Sequence, residues 1–318
     1  MKPILRISIS IALPSLVIAA ACGRSAGPAP ADGQPRAKFV KAIDGFYGPE
    51  SAKYDSAQDV WFVSNMLGYG SAHDGAGYIV RIPAGTLGPP RIFIESGRNG
   101  ATLDAPKGMA IHGDTLWVAD IDVLRGFDRR TGAPLATIDF RPQRAVLLND
   151  VAIGNDGRIY VTDTGIGMTP AGVTHPGGDR VFAVGANHAV SVVAAGATLG
   201  RPNGITPTPR GRGPGVTVVS FDPFRSIVYT LDPADPAAKL GVVATGKGKF
   251  DGVEGLPDGR LLVACWNDSS IHLIGGGRDT KIIGGLSQPA DIGLDTRRNR
   301  IAIPQSVRDR VEFYELPR

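Results

Sequence analysis

The chain has 318 residues, 42% of them hydrophobic and only 20% charged, with 43 Gly and 25 Pro. That balance excludes a disordered chain, which combines low hydrophobicity with high charge, and it disfavours a helical bundle, because Gly and Pro cost roughly 1 and 3 kcal/mol in helix interiors. The net charge of +4 falls to about +2 without residues 1–21, which carry Lys2, Arg6 and no acids, and no clustered basic face points to nucleic acid.

Lys2 and Arg6 precede an apolar run from Ile7 to Ala21 that contains Pro14 and ends in Ala19-Ala20-Ala21-Cys22. A basic start, a short apolar stretch and small residues predict a secretory signal over 1–21. Fifteen residues are too few for a membrane span, which needs about 20. The small residues before Cys22 resemble a bacterial lipobox, with Ala19 where Leu is favoured. That resemblance implies lipidation of Cys22 and an exported protein, periplasmic or in the cell envelope, touching the membrane through its lipid anchor only. Ordinary secretion with cleavage after Ala21 is the alternative. Gly23 to Pro35 is rich in Gly, Ala, Pro and Ser, and a flexible tether is expected over 22–45. A lipidated Cys22 leaves Cys265 alone, so no disulfide is expected; Cys265 ends the apolar run Leu261 to Cys265 and reads as a small buried hydrophobe.

From residue 46 onward one pattern recurs: a polar pivot, a short apolar strand, a Gly/Asp turn and a second strand of β-branched residues. The copies run over Glu50–Asn65, Lys107–Asp120, Asn149–Asp163, Asn203–Thr230, Asp251–Cys265 and Ala290–Gln305. Turns such as Gly113-Asp114, Asn155-Asp156-Gly157 and Pro257-Asp258-Gly259 are hairpin signals. The second strands place Val63, Val118, Val161, Val263 and Ile303 in one column. Six copies of about 45 residues match four-stranded propeller blades. The expected fold is all-β, a six-bladed β-propeller over 46–318.

The first strand of a propeller blade lines the central channel, so the pivots Glu50, Lys107, Asn149, Asn203, Asp251 and Ala290 are expected to converge on the axis. Four are oxygen donors, and two of these are carboxylates. Hard divalent cations take oxygen ligands, whereas softer metals prefer the thiolates and imidazoles missing from this column. A divalent ion, Ca²⁺ first with Mn²⁺, Mg²⁺ or Zn²⁺ as others, is therefore expected on Glu50, Asn149, Asn203 and Asp251. Turn chemistry is the competing explanation, since Asn203-Gly204 and Asp251-Gly252 also suit tight bends. Lys107 either contacts substrate or neutralises the two acids.

The segments Gly48-Pro49-Glu50, Leu148-Asn149-Asp150, Arg201-Pro202-Asn203-Gly204-Ile205 and Phe250-Asp251-Gly252, with the run Gly259 to Asn267, resemble the SMP-30/gluconolactonase family across the mature chain. The resemblance implies a six-bladed propeller with a divalent metal held by a Glu, two Asn and an Asp, and, as in many members, hydrolysis of sugar lactones. By it, Glu50, Asn203 and Asp251 are metal ligands and Asn149 is a ligand or substrate contact. Glu50 is followed by Ser51-Ala52-Lys53-Tyr54 rather than the family's Gly-Pro-x-Trp, and Leu147 stands where some members place an Arg. Pro106-Lys107-Gly108 looks more like repeats of the NHL type.

A bound dication polarises a lactone carbonyl and activates water, with Asp251 as the catalytic carboxylate. The first functional expectation is thus an extracytoplasmic metal-dependent hydrolase of lactones or related esters, with a small-molecule substrate. The second is a non-catalytic, lipid-anchored propeller that binds a sugar, peptide or protein on its loop face. The five histidines are expected to be solvated or without partners, and Arg129-Arg130 and Arg297-Arg298 to be solvated surface pairs. No nucleophile elbow, phosphate loop or Cys-x-x-Cys is present.

Overall fold

The second strands are built from residues that want a pleated, half-buried surface, and each is buried along its length. Val63, Val118, Val161, Val218, Val263 and Ile303 are fully covered. In blades 2, 3 and 5 the first strand turns back onto its second through a tight loop. Gly113, Gly157 and Gly259 have φ of 59°, 78° and 86° there, a left-handed backbone that glycine adopts without cost. The result, in a computed structural model that describes residues 36–68, 70–210, 215–235 and 240–317, is six four-stranded antiparallel sheets arranged as a six-bladed β-propeller.

From the axis outward, blade 1 holds Pro49–Asp55, Val60–Asn65, Tyr78–Pro83 and Arg91–Glu95, and blade 2 holds Pro106–His112, Thr115–Asp120, Val123–Asp128 and Pro134–Asp139. Blade 3 holds Leu148–Ile153, Ile159–Asp163, Arg180–Val184 and Val190–Ala195. Blade 4 holds Pro202–Pro207, Val216–Ser220, Ile227–Leu231 and Gly241–Thr245. Blade 5 holds Phe250–Gly255, Leu261–Cys265, Ser270–Gly275 and Arg278–Gly284. Blade 6 holds Gly293–Asp295, Arg300–Gln305 and Arg310–Glu315, and its outermost strand is Lys38–Asp44 from the other end of the chain.

That last strand corrects the expected organisation. Residues 38–44 fall inside the segment read as tether, yet they pair with Arg310–Glu315 and close the ring. The expected signal over 1–21, Cys22 and the tether up to residue 35 lie outside the described residues. Among the described residues no helix is long and apolar enough to cross a membrane.

Blades pack face to face. Trp61, fully buried, meets Phe313 of blade 6 edge-on at 5.8 Å, and Trp117 packs with Ile159, Val161 and Phe182 of blade 3. On the face away from the pivots, arginines expected in solvent instead clasp neighbouring blades. Arg129 is 12% exposed and donates to both oxygens of Asp55, at 2.9 and 2.8 Å. Arg298 donates to Asp59 and to Asp295, joining blades 1 and 6. The reason is shape: a propeller's wedge-like blades bring turn carboxylates of one blade beside turn arginines of the next.

Candidate functional site

Each innermost strand begins with the same irregularity. Pro49 pairs with Asn65, Pro106 with Asp120, Leu148 with Asp163, Pro202 with Ser220 and Phe250 with Cys265, and in all five blades the register then shifts before pairing resumes three residues later. In blade 6 the bridge Pro289–Gln305 occupies the same place. A bulge re-aims the side chains it carries, and the residue on each bulge is the pivot. Glu50, Lys107, Asn149, Asn203, Asp251 and Ala290 therefore hold equivalent places at one end of the channel, none more than 6% exposed.

In four blades the residue at the far end of the second strand fixes the loop leading into the pivot. Asp120 accepts from the backbone N–H groups of Asp104 and Ala105, and Asp163 from those of Val146 and Leu147. Gln305 does the same for Ser287, and Asn65 for Tyr47. These bonds tie the connector from the preceding blade onto the blade it enters.

The pivot oxygens distinguish the two explanations for this column. An Asn or Asp placed for turn geometry spends its side-chain oxygen on a nearby backbone N–H. Here Glu50 Oε2, Asn149 Oδ1, Asn203 Oδ1 and Asp251 Oδ1 are all buried and have no hydrogen-bond partner. The glycines that follow are not turn residues either, because Gly204 and Gly252 do not have positive φ. A Cβ on Gly252 would lie 2.5 Å from Ile292 N and 2.7 Å from Asp291 Cα, so glycine is required by the approach of the next blade's backbone. Buried polar atoms are normally paired, and each exception asks for a cause. Four unpaired oxygens at one structural position suit a hard cation.

The charges at this position act on one another. Burial pushes the Glu50 carboxyl well above the usual carboxylate range; Lys107 opposes that rise, and Asp251 and Asp291 add to it. Burial likewise raises Asp251, with Asp291 adding and Lys107 opposing. Lys107 is lowered by burial, against the pull of Glu50 and Asp251. Two acids therefore share a single cationic side chain. The indole N–H of Trp266, which donates to the Pro289 carbonyl at 3.0 Å, also favours the ionised form of Asp251. Farther along the innermost strands, Ser51 donates to Asp291 at 2.5 Å, Asp150 accepts from Ile205 N at 2.8 Å, and Lys53 pairs with Glu254 at 2.9 Å. These groups have partners; the four pivot oxygens do not.

Sequence reasoning missed the roof of this site. Lys107 Nζ lies 2.8 Å from Met66 Sδ. A Cβ on Gly70 would come within 2.8 Å of Met168 Cε and 2.9 Å of Lys107 Nζ. Met168 belongs to a small hairpin, Gly167–Thr169 with Gly172–Thr174, in the loop between the second and third strands of blade 3. Ser71 ties the two loops together, accepting from Met168 N at 2.9 Å and donating to Met168 O at 2.5 Å.

A second grouping brings ligand-type atoms of Cys265, Asp268 and His272 within 4.8 Å of one another. Both imidazole nitrogens are already engaged, Nε2 with Asp268 at 3.0 Å and Nδ1 with Asp279 at 2.6 Å. Burial disfavours the imidazolium, but the bonds to Asp268 and Asp279 outweigh it and raise the His272 pKa to about 11. His272 thus has the partners that the sequence reading denied it, and the cluster reads as a charge clasp. A raised histidine pKa stabilises the fold fully below its unfolded value of about 6.5, and that contribution disappears as pH climbs toward 11. His272→Asn is expected to lower the melting temperature at pH 6–7, and the deficit should shrink steadily up to pH 10 in thermal scans. A pH-independent deficit would contradict the clasp.

No protein-family model and no curated protein matches the sequence. Solved structures do match. A gluconolactonase from Xanthomonas campestris aligns with a TM-score of 0.64 at 16% identity over 92% of this chain and 99% of its own. Regucalcin from Agrobacterium tumefaciens, described as a calcium-binding protein, aligns with a TM-score of 0.63 at 15% identity, covering 88% and 94%. Virginiamycin B lyase from Staphylococcus aureus gives 0.54 at 10% identity, covering 87% and 98%. What this chain shares with them is the fold. Propellers carry unrelated chemistries, so function has to be argued from the site.

Proposed function

We propose that this chain is a divalent-cation-dependent hydrolase of lactones or related esters, acting at the pivot end of the propeller axis. The observation that carries the reading is the set of four buried, unpartnered oxygens on Glu50, Asn149, Asn203 and Asp251. Those residues would hold the ion, with Ca²⁺ the best match to an all-oxygen donor set. When bound, such an ion polarises the acyl carbonyl and favours attack by water. Lys107, buried beside Glu50 and Asp251, adds positive charge where the carbonyl oxygen becomes negative. Lys107 opposes the rise that burial gives the Asp251 carboxyl, as a bound dication would, and in its ionised form Asp251 takes a proton from the attacking water and returns it to the leaving oxygen. The balance is one water consumed: its oxygen bonds to the acyl carbon, the acyl–oxygen bond breaks, and a lactone leaves as one hydroxy acid, an ester as an acid and an alcohol. The gluconolactonase and regucalcin likenesses support this reading. The proposal retains export and lipidation of Cys22, on the composition of residues 1–35.

The test is a panel of lactones and aryl esters with the full mature protein. Hydrolysis is expected with Ca²⁺ or Mn²⁺, to be lost in EDTA, and to fall at least 100-fold in Asp251→Asn, in line with loss of a positioned acid–base group. A protein that binds the ion but opens nothing in the panel would instead be a binding module.

A further inference from the structure

Apolar side chains crowd the one end of the molecule where the buried oxygens sit. Directly over Lys107 stand Met66 and Met168, and packed with them are Ile121, Leu147, Ile166 and Phe221. Leu147 is fully buried and immediately precedes the strand carrying Asn149. The edge of Trp266 lies against Phe221, ring centroids 4.9 Å apart, and Lys249 Nζ sits 6.0 and 5.8 Å from those two rings. Polyhydroxylated ligands need a matching set of hydrogen-bond donors and acceptors, and a roof of Met, Leu, Ile and Phe offers almost none. Methionine suits an apolar ligand of variable shape, being flexible and polarizable.

The exposed surface follows the same direction. Ten large hydrophobic side chains are exposed among the described residues. Phe39, Ile92, Leu135, Val192 and Val242 sit one apiece on outermost strands. The other five, Tyr47, Leu67, Val173, Phe224 and Val307, are all in loops that precede a first strand or follow a second strand. Those loops share the pivot face. No large hydrophobic is exposed in the described hairpins of the opposite face.

We infer that the site takes a lactone or ester with an apolar alkyl or aryl body, its acyl group at the axial oxygens and its body against Met66, Met168 and Phe221. The inference rests on the hydrolase reading above for the reacting group and on the roof for the body. The roof latch between Ser71 and Met168 must open for such a substrate to enter, because the pivots beneath it are buried.

The experiment compares kcat/KM for straight-chain γ-lactones of increasing tail length with that for glucono-δ-lactone, using the full mature protein with Ca²⁺. The expected result is a rise of about fourfold per methylene while the tail stays within the roof, and glucono-δ-lactone as the poorest substrate. Met168→Gln, a half-buried position on an outer hairpin, should flatten the chain-length dependence. Equal rates along the series, or a preference for glucono-δ-lactone, would overturn the inference and leave the hydrolase reading standing. Binding is read separately, as quenching of Trp266 fluorescence with Trp266→Phe as the control. If nothing is hydrolysed but long-tailed lactones quench more strongly than short ones, the apolar specificity holds and the hydrolase reading fails. No tail-length trend in either measurement sinks the inference outright.

Discussion

Asp251→Asn is expected to do two opposite things: to raise the melting temperature of the metal-free protein, and to erase the rise that Ca²⁺ gives the wild type. The first follows from burial. Asp251 and Glu50 are 3% and 6% exposed and compete for Lys107. Folding an acid into such a place without full compensation costs several kcal/mol per uncompensated charge. Asn keeps the volume and an oxygen but removes the charge. The second follows from linkage, because an ion that binds only the folded state stabilises it by about 2.7 kcal/mol at 100 times its dissociation constant. For a domain of this size that amounts to a rise of about 5 °C. Calorimetry on both proteins, with EDTA and with Ca²⁺, Mn²⁺ or Mg²⁺, checks both halves. A wild-type melting temperature that no divalent ion moves would remove the metal centre. Wild-type stabilisation that survives in Asp251→Asn would place the ion elsewhere, and the cluster of Cys265, Asp268 and His272 would be the next position to mutate.

The pivot column was legible in the sequence because it keeps phase with something conspicuous. The hairpin glycines and the β-branched second strands fix where each blade begins, and counting back from Val63, Val118, Val161, Val263 and Ile303 reaches residues that do share one place. The sequence could not say why Asn203 and Asp251 precede glycines, because turn chemistry and ligand geometry favour the same pairs. The structure separates them through two measurable things: the absence of a positive φ at Gly204 and Gly252, and the missing partners of the oxygens. Features made by distant pairs were not legible. Arg129 meets Asp55 and Arg298 meets Asp59 across blade boundaries, and local sequence resembles any solvated turn at each. The roof was hidden for a related reason. Met66 and Met168 come from loops of blades 1 and 3, and only the packing of those blades on either side of blade 2 brings them over Lys107.

Ring closure is also where the largest loss of stability is expected. Lys38–Asp44 supplies six pairings to Arg310–Glu315, buries Ile43 and lays Phe39 edge-on against Tyr314, 5.4 Å between centroids. Lys41 Nζ donates to Leu87 O at 2.7 Å and so ties the same strand to blade 1. A chain shortened to begin at Gly45 leaves Arg310–Glu315 as an uncovered edge, which recruits other strands and aggregates. Losing the strand is expected to cost at least 3–5 kcal/mol, about the loss of one large buried aromatic, and so to lower the melting temperature by at least about 5–8 °C. Thermal scans and light scattering read both effects, and a peptide of residues 36–45 supplied in trans should restore part of the loss by strand addition. The site should feel the change as well. Glu50 is positioned across the same seam, its carbonyl accepting from Asp291 N at 2.9 Å while Ala52 N donates to Asp291 O at 3.3 Å. If the shortened chain melts like the full one and keeps its Ca²⁺-induced rise, the terminal strand is ornamental to the ring. If both fall together and both return with the peptide, the seam between blades 6 and 1 holds Glu50 at the axis.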